Sequence, residues 1–306
     1  MKYINLHHHS TYSFGDGFGT PEQHVARAKE LGYSAIALTE HGNVSSHFRL
    51  EKAANKAGIK PIYGLEAYCG PVGDDRQQFK FHLTILAENV DGYRALNRIV
   101  TQSWRDFHYH PTVSGSSLAA NASGIVVLSG CSGSLLACTL LGGKGIPEPW
   151  KPDVKSARKV IEPFQRLLGD RYFLEVQPFW ELEKTEFINT AYEDLGRRAG
   201  VPLVVTCDVH YPRQDDSEMQ AVLHAVHRGK ASVDDAMREW NYQVPMTLPE
   251  SIEDLTTRLE KTGLSSRAAR EAIANAWDIG SMCNVTLPKA DRLRYPISKS
   301  DMEPWV

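Results

Sequence analysis

The sequence predicts an α/β fold in which parallel strands curl into a barrel. Three observations carry this expectation. Short β-rich runs alternate with longer amphipathic stretches, the pattern of repeated βα units. Seven such runs can be counted. Side chains of the types that bind metal ions recur where those runs end, and a parallel barrel delivers the C-terminal ends of its strands to one face.

The predicted strands are residues 3–6, 34–39, 61–65, 79–87, 124–129, 171–176 and 202–207. Between them, apolar residues recur at three- and four-residue spacing and predict helices. The first helix opens with Thr20 as N-cap and Pro21 at the first helical position, and Gly32 lies just past its end. Further helices are predicted over 46–57, 91–103, 154–168, 185–199 and 215–228. Residues 104–121 mix aromatic, His, Pro and Ser residues without a period and read as a loop. Residues 142–152 are rich in Gly and Pro and read likewise. After residue 230 the alternation stops, and 249–259 and 265–282 read as helices. The expected organisation is a barrel over 1–230, a helical appendage over 231–287 and an extended tail over 288–306.

Bulk properties narrow the function classes. At 306 residues the chain has room for one large barrel or two smaller domains. A formal charge of −3 argues against a surface coated in basic residues for duplex DNA, without excluding a nucleic-acid substrate. Five cysteines, an odd number with no CxxC pair, argue against a disulfide framework or zinc finger and for a reducing compartment. The start lacks the apolar core of a signal peptide, and no apolar run is long enough to span a bilayer. A soluble, cytoplasmic protein without a membrane partner is expected.

The candidate metal ligands are His7, His9, Asp16, His41, Glu66, His82, Cys131, Asp208 and His210. In an extended Leu6-His7-His8-His9, alternate side chains share a face, so His7 and His9 can meet one ion while His8 points elsewhere. Asp208-Val209-His210 repeats the arrangement at the end of another predicted strand. His41 and Glu66 follow strands in the same way, and a carboxylate such as Glu66 can bridge two cations through its two oxygens. For His82, inside Phe81-His82-Leu83, a core or stacking histidine is an equally open reading. Cys131 as a small buried hydrophobe and Asp16 as a turn carboxylate are the bland alternatives at those positions. Imidazole, carboxylate and thiolate together suit zinc, manganese or iron rather than calcium. A multinuclear site of this composition points to phosphoester hydrolysis, because paired cations activate water and offset phosphate charge.

The segments LHHHSTYSFGDG, ALTEHGN, PIYGLEAY, FHLTILA, VLSGCSG and TCDVHY, in this order and spacing, resemble the PHP (polymerase and histidinol phosphatase) domain. The similarity is greatest to the branch found at the N-terminus of bacterial replicative polymerase III alpha subunits, and it runs over about residues 1–287. The resemblance implies a distorted seven-stranded, TIM-like β/α barrel and a trinuclear site. It carries the nine ligand roles onto the nine residues above, with three divalent ions (Zn²⁺, Mn²⁺ or Fe²⁺). It also implies a 3′→5′ proofreading exonuclease acting on single-stranded DNA or a primer 3′ end, with Glu66, His9 and Asp208 as catalytic residues. Three positions depart from the pattern. Glu40 stands where Asp is usual, Cys207 stands where Asn is usual and puts a soft group near the metals, and Asn5 replaces a frequent extra histidine.

For substrate contacts, Lys80, Arg105, Arg213 and Arg228 are candidates for phosphates, and Tyr12, Trp104 and Tyr211 for stacking on bases. The chain has no room for palm, fingers or thumb, so it is expected not to polymerise DNA. It is expected to be an excised domain, or a stand-alone product that works beside a separately encoded polymerase chain. The alternatives are a small-molecule phosphomonoesterase of the histidinol-phosphatase kind and a metal-stabilised, non-catalytic module that docks a polymerase chain.

Overall fold

Apolar runs and capped amphipathic helices alternate along the chain largely as their patterning predicts. The computed structural model describes residues 2–70, 80–143, 153–229, 232, 234–235 and 244–287. Helix α1 (Pro21–Glu30) is followed by β1 (Ala35–Leu38), α2 (His47–Ala57), β2 (Lys60–Cys69), β3 (Phe81–Ala87) and α3 (Val90–Arg105). Then come β4 (Thr112–Val113), α4 (Gly115–Ala120), β5 (Ile125–Leu128), α5 (Leu135–Leu140), α6 (Val154–Leu168) and β6 (Tyr172–Val176). The described elements end with α7 (Glu183–Ala199), β7 (Leu203–Val205), α8 (Ser217–His227), α9 (Ile252–Lys261) and α10 (Ser266–Met282). The predicted start of α1 is observed: Thr20 caps it, and its side chain and that of Gln23 form a reciprocal capping box.

The sheet differs from the expected parallel barrel in three ways. Its strands pair in the order β1-β2-β3-β5-β6-β7, with β4 beside β2, and they curl without closing into a full barrel. Strand β3 is antiparallel to both β2 and β5. The connection from Cys69 to Phe81 is near the minimum of about 10–12 residues for a parallel crossover, and the chain takes the antiparallel return instead. Finally, residues 3–6 form no strand. Asn5 supplies the hydrogen bonds a ladder would have made: its Oδ1 accepts from the Cys207 N–H at 2.8 Å and its Nδ2 donates to the His7 carbonyl at 2.7 Å. The next residues, 7–9, span the gap between the two sheet edges. His9 N–H donates to the Val209 carbonyl and Val209 N–H to that of His7, while Thr39 N–H donates to that of His8.

The segment read as a loop over 104–121 holds β4 and α4, and α5 was not predicted. Both helices are short and Ser-capped, which leaves too few turns for a readable period. Of residues 142–152, those from 144 lie outside the described residues, as does the 288–306 tail. Helices α9 and α10 share the main core with the sheet: Leu255, Leu259, Ile273 and Ile279 join Val204, Val205 and Leu6. Gly280 of α10 lies against Ile4, where a Cβ would come within 2.7 Å of the Ile4 side chain. No described helix is long and apolar enough to cross a membrane.

Two features of this core give measurable consequences. At Gly92, in the first turn of α3, a Cβ would meet the Gly124 carbonyl oxygen at 1.7 Å, which is backbone and unable to swing aside. Gly92→Ala should therefore cost about 3 kcal/mol of stability by overpacking, read as a lower urea midpoint. His47 is buried beneath Tyr63 and bonded to the Gly64 carbonyl, and burial lowers its pKa from 6.5 to about 4. The unfolded imidazole takes up a proton below about pH 6.5 and the folded one only below about 4. Stability from this group is thus complete above pH 6.5 and is lost as pH falls toward 4, by about 3 kcal/mol. Urea titrations of chelator-treated protein across that window should show a correspondingly shallower pH slope in His47→Gln.

Candidate metal centre

The antiparallel turn of β3 decides where the ligand-type side chains meet. His41 follows β1, Cys131 follows β5, and Asp208 and His210 follow β7, so these four lie at strand exits as expected. Glu66 lies inside β2, paired in register with Thr84. Because β3 runs the other way, it is the start of this strand that reaches the same edge, and His82 is its second residue. Residues 7–9 bring His7 and His9 between the edges, and the turn that follows carries Asp16. All nine predicted side chains converge on one cluster.

Glu66 is at its middle, almost wholly buried. Its Oε1 lies 3.2 Å from His7 Nε2, 2.9 Å from His82 Nδ1 and 3.6 Å from Cys131 Sγ. Its Oε2 lies 3.3 Å from His9 Nε2 and 2.6 Å from His41 Nδ1. Each oxygen thus faces a different set of side chains, the disposition of a bridging carboxylate. Asp208 Oδ1 lies 3.4 Å from His7 Nε2 and 3.5 Å from His9 Nε2, while its Oδ2 accepts from Gln177 at 3.1 Å. Asp208 has a φ of 42°, in the left-handed region that non-glycine residues rarely occupy. Strain of this kind is characteristic of functional sites. Asp16 meets His41 at 2.8 Å and His210 at 3.4 Å, and its other oxygen pairs with His224 of α8.

Partners behind the cluster set the imidazole tautomers. His7 Nδ1 donates to Glu175 Oε1 at 2.6 Å, and Glu175 is held in turn by the Thr84 and Thr206 hydroxyls. The Ser13 hydroxyl donates to Glu40 at 2.6 Å, so it accepts from His9 Nδ1 at 2.8 Å and from the His41 N–H. His210 Nδ1 donates to the Asp208 carbonyl at 2.8 Å. His7 Nε2 and His9 Nε2 face each other across 3.0 Å, with the lone pair of a neutral His9 turned into the cluster. His41 Nδ1 and Glu66 Oε2 pair with each other at 2.6 Å, and Asp208 Oδ1 is buried without a hydrogen-bond partner among the described residues. Carboxylate oxygens and imidazole nitrogens gathered in a buried space need positive charge among them, as protons on the imidazoles or as a bound cation.

Proton affinities show the same demand. Burial alone would raise the Glu66 carboxyl, but His82, His7 and His41 overturn this and hold it well below its usual range. Burial disfavours a charged His7, yet Asp208, Glu175 and Glu66 hold its pKa well above the ordinary value. At His210 burial is likewise outweighed by Asp16 and Asp208, which raise it to about 9. His9, by contrast, is lowered to about 3 by burial and by His41 and His210. Burial, Glu66 and Asp208 push the Cys131 thiol well up. Divalent cations entering this cluster would displace protons from His7, His210 and Cys131. Among the described residues, three sets of side chains have ligand atoms close enough to share an ion: His9 with His41 and His210, His7 with His9 and Glu66, and His41 with Glu66 and His82. The residues fit a metal centre.

Glu175, Ser13, Gln177 and His224 were not anticipated. Glu175 had a readable signal, a lone carboxylate in the apolar run Tyr172-Phe173-Leu174-Glu175-Val176, where burial without a partner would be costly. The remaining candidates are dispersed. Lys80 is buried, so it is not displayed to a phosphate. Tyr211 is buried too; its hydroxyl donates to the Val244 carbonyl and accepts from Met246 N–H, a pin rather than a stacking face. Arg213 pairs with Glu30 on the surface (Nη1 to Oε1, 3.2 Å), and Arg105 and Arg228 are exposed. Tyr12 is half-buried and Trp104 is half-exposed. The Cys207 thiol does not reach the cluster and faces the Tyr3 hydroxyl at 3.4 Å instead.

A model of the PHP domain family matches residues 5–178. DNA polymerase III subunit alpha of Treponema pallidum (strain Nichols) is 32% identical over 298 residues, an alignment covering 94% of this chain and 24% of that protein. The Thermus aquaticus DNA polymerase III subunit alpha is 29% identical over 309 residues, covering 98% of this chain and 24% of that one. The chain thus spans about a quarter of the length of these curated relatives. Among solved structures, histidinol phosphate phosphatase from Lactococcus lactis superposes with a TM-score of 0.41 at 14% identity, covering 77% of this chain and 94% of that one.

Protein stripped with EDTA should gain thermal stability on titration with Mn²⁺ or Zn²⁺. Glu175→Gln, which removes the charge behind His7 but keeps the shape, should weaken metal affinity by about 10- to 100-fold. Calorimetric titration checks both, and equal affinity in the variant would show that Glu175 does not orient His7 for a cation.

Proposed function

The chain belongs to the PHP domain family of metal-dependent phosphoesterases, and from that premise we propose that it is a 3′→5′ exonuclease acting on single-stranded or frayed DNA ends. The observation that carries this reading is the convergence of nine ligand-type side chains around Glu66, each of whose oxygens faces a different set of imidazoles. In the proposed assignment His7, His9, Asp16, His41, Glu66, His82, Cys131, Asp208 and His210 hold the ions, three in number, zinc, manganese or iron. Such ions, when bound, supply an activated water and neutralise charge on the phosphodiester.

The chain's own residues then have distinct tasks. Glu66 would hold ions with both oxygens, having His82 and Cys131 beside one and His9 and His41 beside the other. His9, kept neutral with its proton on Nδ1 toward Ser13, presents Nε2. Asp208 turns Oδ1 inward while Gln177 holds Oδ2. Catalytic roles fall to Glu66, His9 and Asp208. Asp16, His41 and His82 are only partly buried, whereas His7, His9 and Glu66 are shut away, so a substrate approaches over the first three. Relatives named as polymerase III alpha subunits favour a DNA end as the substrate and a polymerase chain as the partner. The division between 1–230 and 231–287 is kept as part of this proposal, with the helical segment packed onto the curled sheet, and the 288–306 tail lies outside the described residues.

A 5′-labelled single-stranded oligonucleotide incubated with Mn²⁺ or Zn²⁺ should shorten stepwise from its 3′ end. The ladder should vanish with EDTA and in His9→Ala and Asp208→Ala. Persistent cleavage in both variants would overturn the assignment. Turnover of phosphomonoesters with intact oligonucleotide would reassign the centre to small substrates.

A further inference from the structure

The open side of the centre is bordered by aromatic side chains that the fold does not use as core. Trp104 and Phe107, at the end of α3 and just beyond it, are each 53% exposed and lie stacked on one another, with ring centres 5.7 Å apart and planes 20° from parallel. Tyr109 is 58% exposed, at a φ of 61° that a bulky residue rarely holds. Exposed apolar surface of this kind, gathered in one place, marks a binding surface more often than chance.

The group is tied to the centre by two separate links. The Trp104 indole N–H donates to the Gly42 carbonyl at 2.9 Å, and Gly42 directly follows His41. From the same loop, His110 lies against Tyr68 with ring centres 4.5 Å apart, and Tyr68 stacks on His41 at 5.7 Å. Gly42 has to be glycine here: its φ is 62°, and a Cβ would come within 2.6 Å of Pro111. The loop is thus seated on the turn that carries His41, one of the partly buried side chains of the centre. Arg105, between the stacked pair in sequence, lines the open groove between α3 and α4 together with Arg98.

We infer that Trp104 and Phe107 form a stacking platform for nucleobases of a single-stranded nucleic acid whose terminal phosphodiester lies in the metal centre. The inference rests on the nuclease reading above and adds the site that holds the strand. Every base has a π-face, so a platform of this kind grips a strand whatever its sequence, as an enzyme that trims ends requires. The indole hydrogen bond to Gly42 fixes the Trp104 ring relative to His41, which sets the bases in register with the phosphate to be cut. Arg105, exposed and next to Trp104 in sequence, supplies a positive charge for the backbone.

The test is strand binding by the full chain carrying Asp208→Asn, with Mn²⁺ present, read by anisotropy of a fluorescein-labelled oligothymidylate and of an abasic strand of equal length. The base-containing strand should bind about tenfold or more tightly than the abasic one. Trp104→Ala with Phe107→Ala should remove that preference, and Trp104→Phe, which keeps a stacking face, should retain most of it. Equal affinity for the two strands before any platform substitution, or an undiminished preference after the double substitution, overturns the platform and leaves the nuclease reading in place. Absence of 3′ shortening by the unsubstituted chain, with no strand bound, overturns both.

Discussion

Glu66 is ionised in a place almost without water, and much of the molecule is arranged around that fact. A carboxylate stripped of solvent and left unpaired would be severely destabilising. Its compensation comes from imidazoles supplied by residues 7–9, by the exit of β1 and by the start of β3, and no one segment could provide it. Those imidazoles also face Asp16 and Asp208, so carboxylates and imidazoles share one buried space. Positive charge there comes from protonated imidazoles or from a bound cation, so a cation that enters competes with protons.

The surrounding fold reads as the means of holding this arrangement still. An antiparallel β3 turns its first residues to the same edge as the exits of its neighbours. Asn5 replaces strand pairing with side-chain hydrogen bonds, which frees residues 7–9 to bridge the sheet edges with His7 and His9 facing inward. Glu175, and Glu40 through Ser13, fix which nitrogen of each of those histidines carries its proton. Helix α8 adds His224 against Asp16, and α10 closes over Ile4 through Gly280. The C-terminal helices accordingly belong to the same core as the sheet, although the sequence pattern sets them apart.

Legibility differed by the kind of signal. Helices with several turns and a cap, such as α1 behind Thr20 and α6 over Val154–Leu168, were readable because period and capping chemistry are local. Short helices such as α4 and α5 were not, since six residues cannot establish a period. The nine ligand-type residues stood out by chemical type and by their relation to β-rich runs. Lys80 and Tyr211 misled for a matching reason: basic and aromatic side chains announce contacts with nucleic acid only if they are exposed, and exposure is not a local property.

The sequence by itself determined the α/β class, the identity of the residues with metal-binding chemistry, and the family to which the chain belongs. These follow from residue type and short-range spacing, which the chain carries wherever it folds. Only the tertiary structure decided that β3 runs backward, that the sheet stays open with residues 7–9 across its gap, and that Glu175, Ser13 and His224 stand behind the cluster. Those outcomes depend on connection length, on buried hydrogen bonds between distant segments, and on which side chains are denied water. Such terms exist only when the chain is assembled.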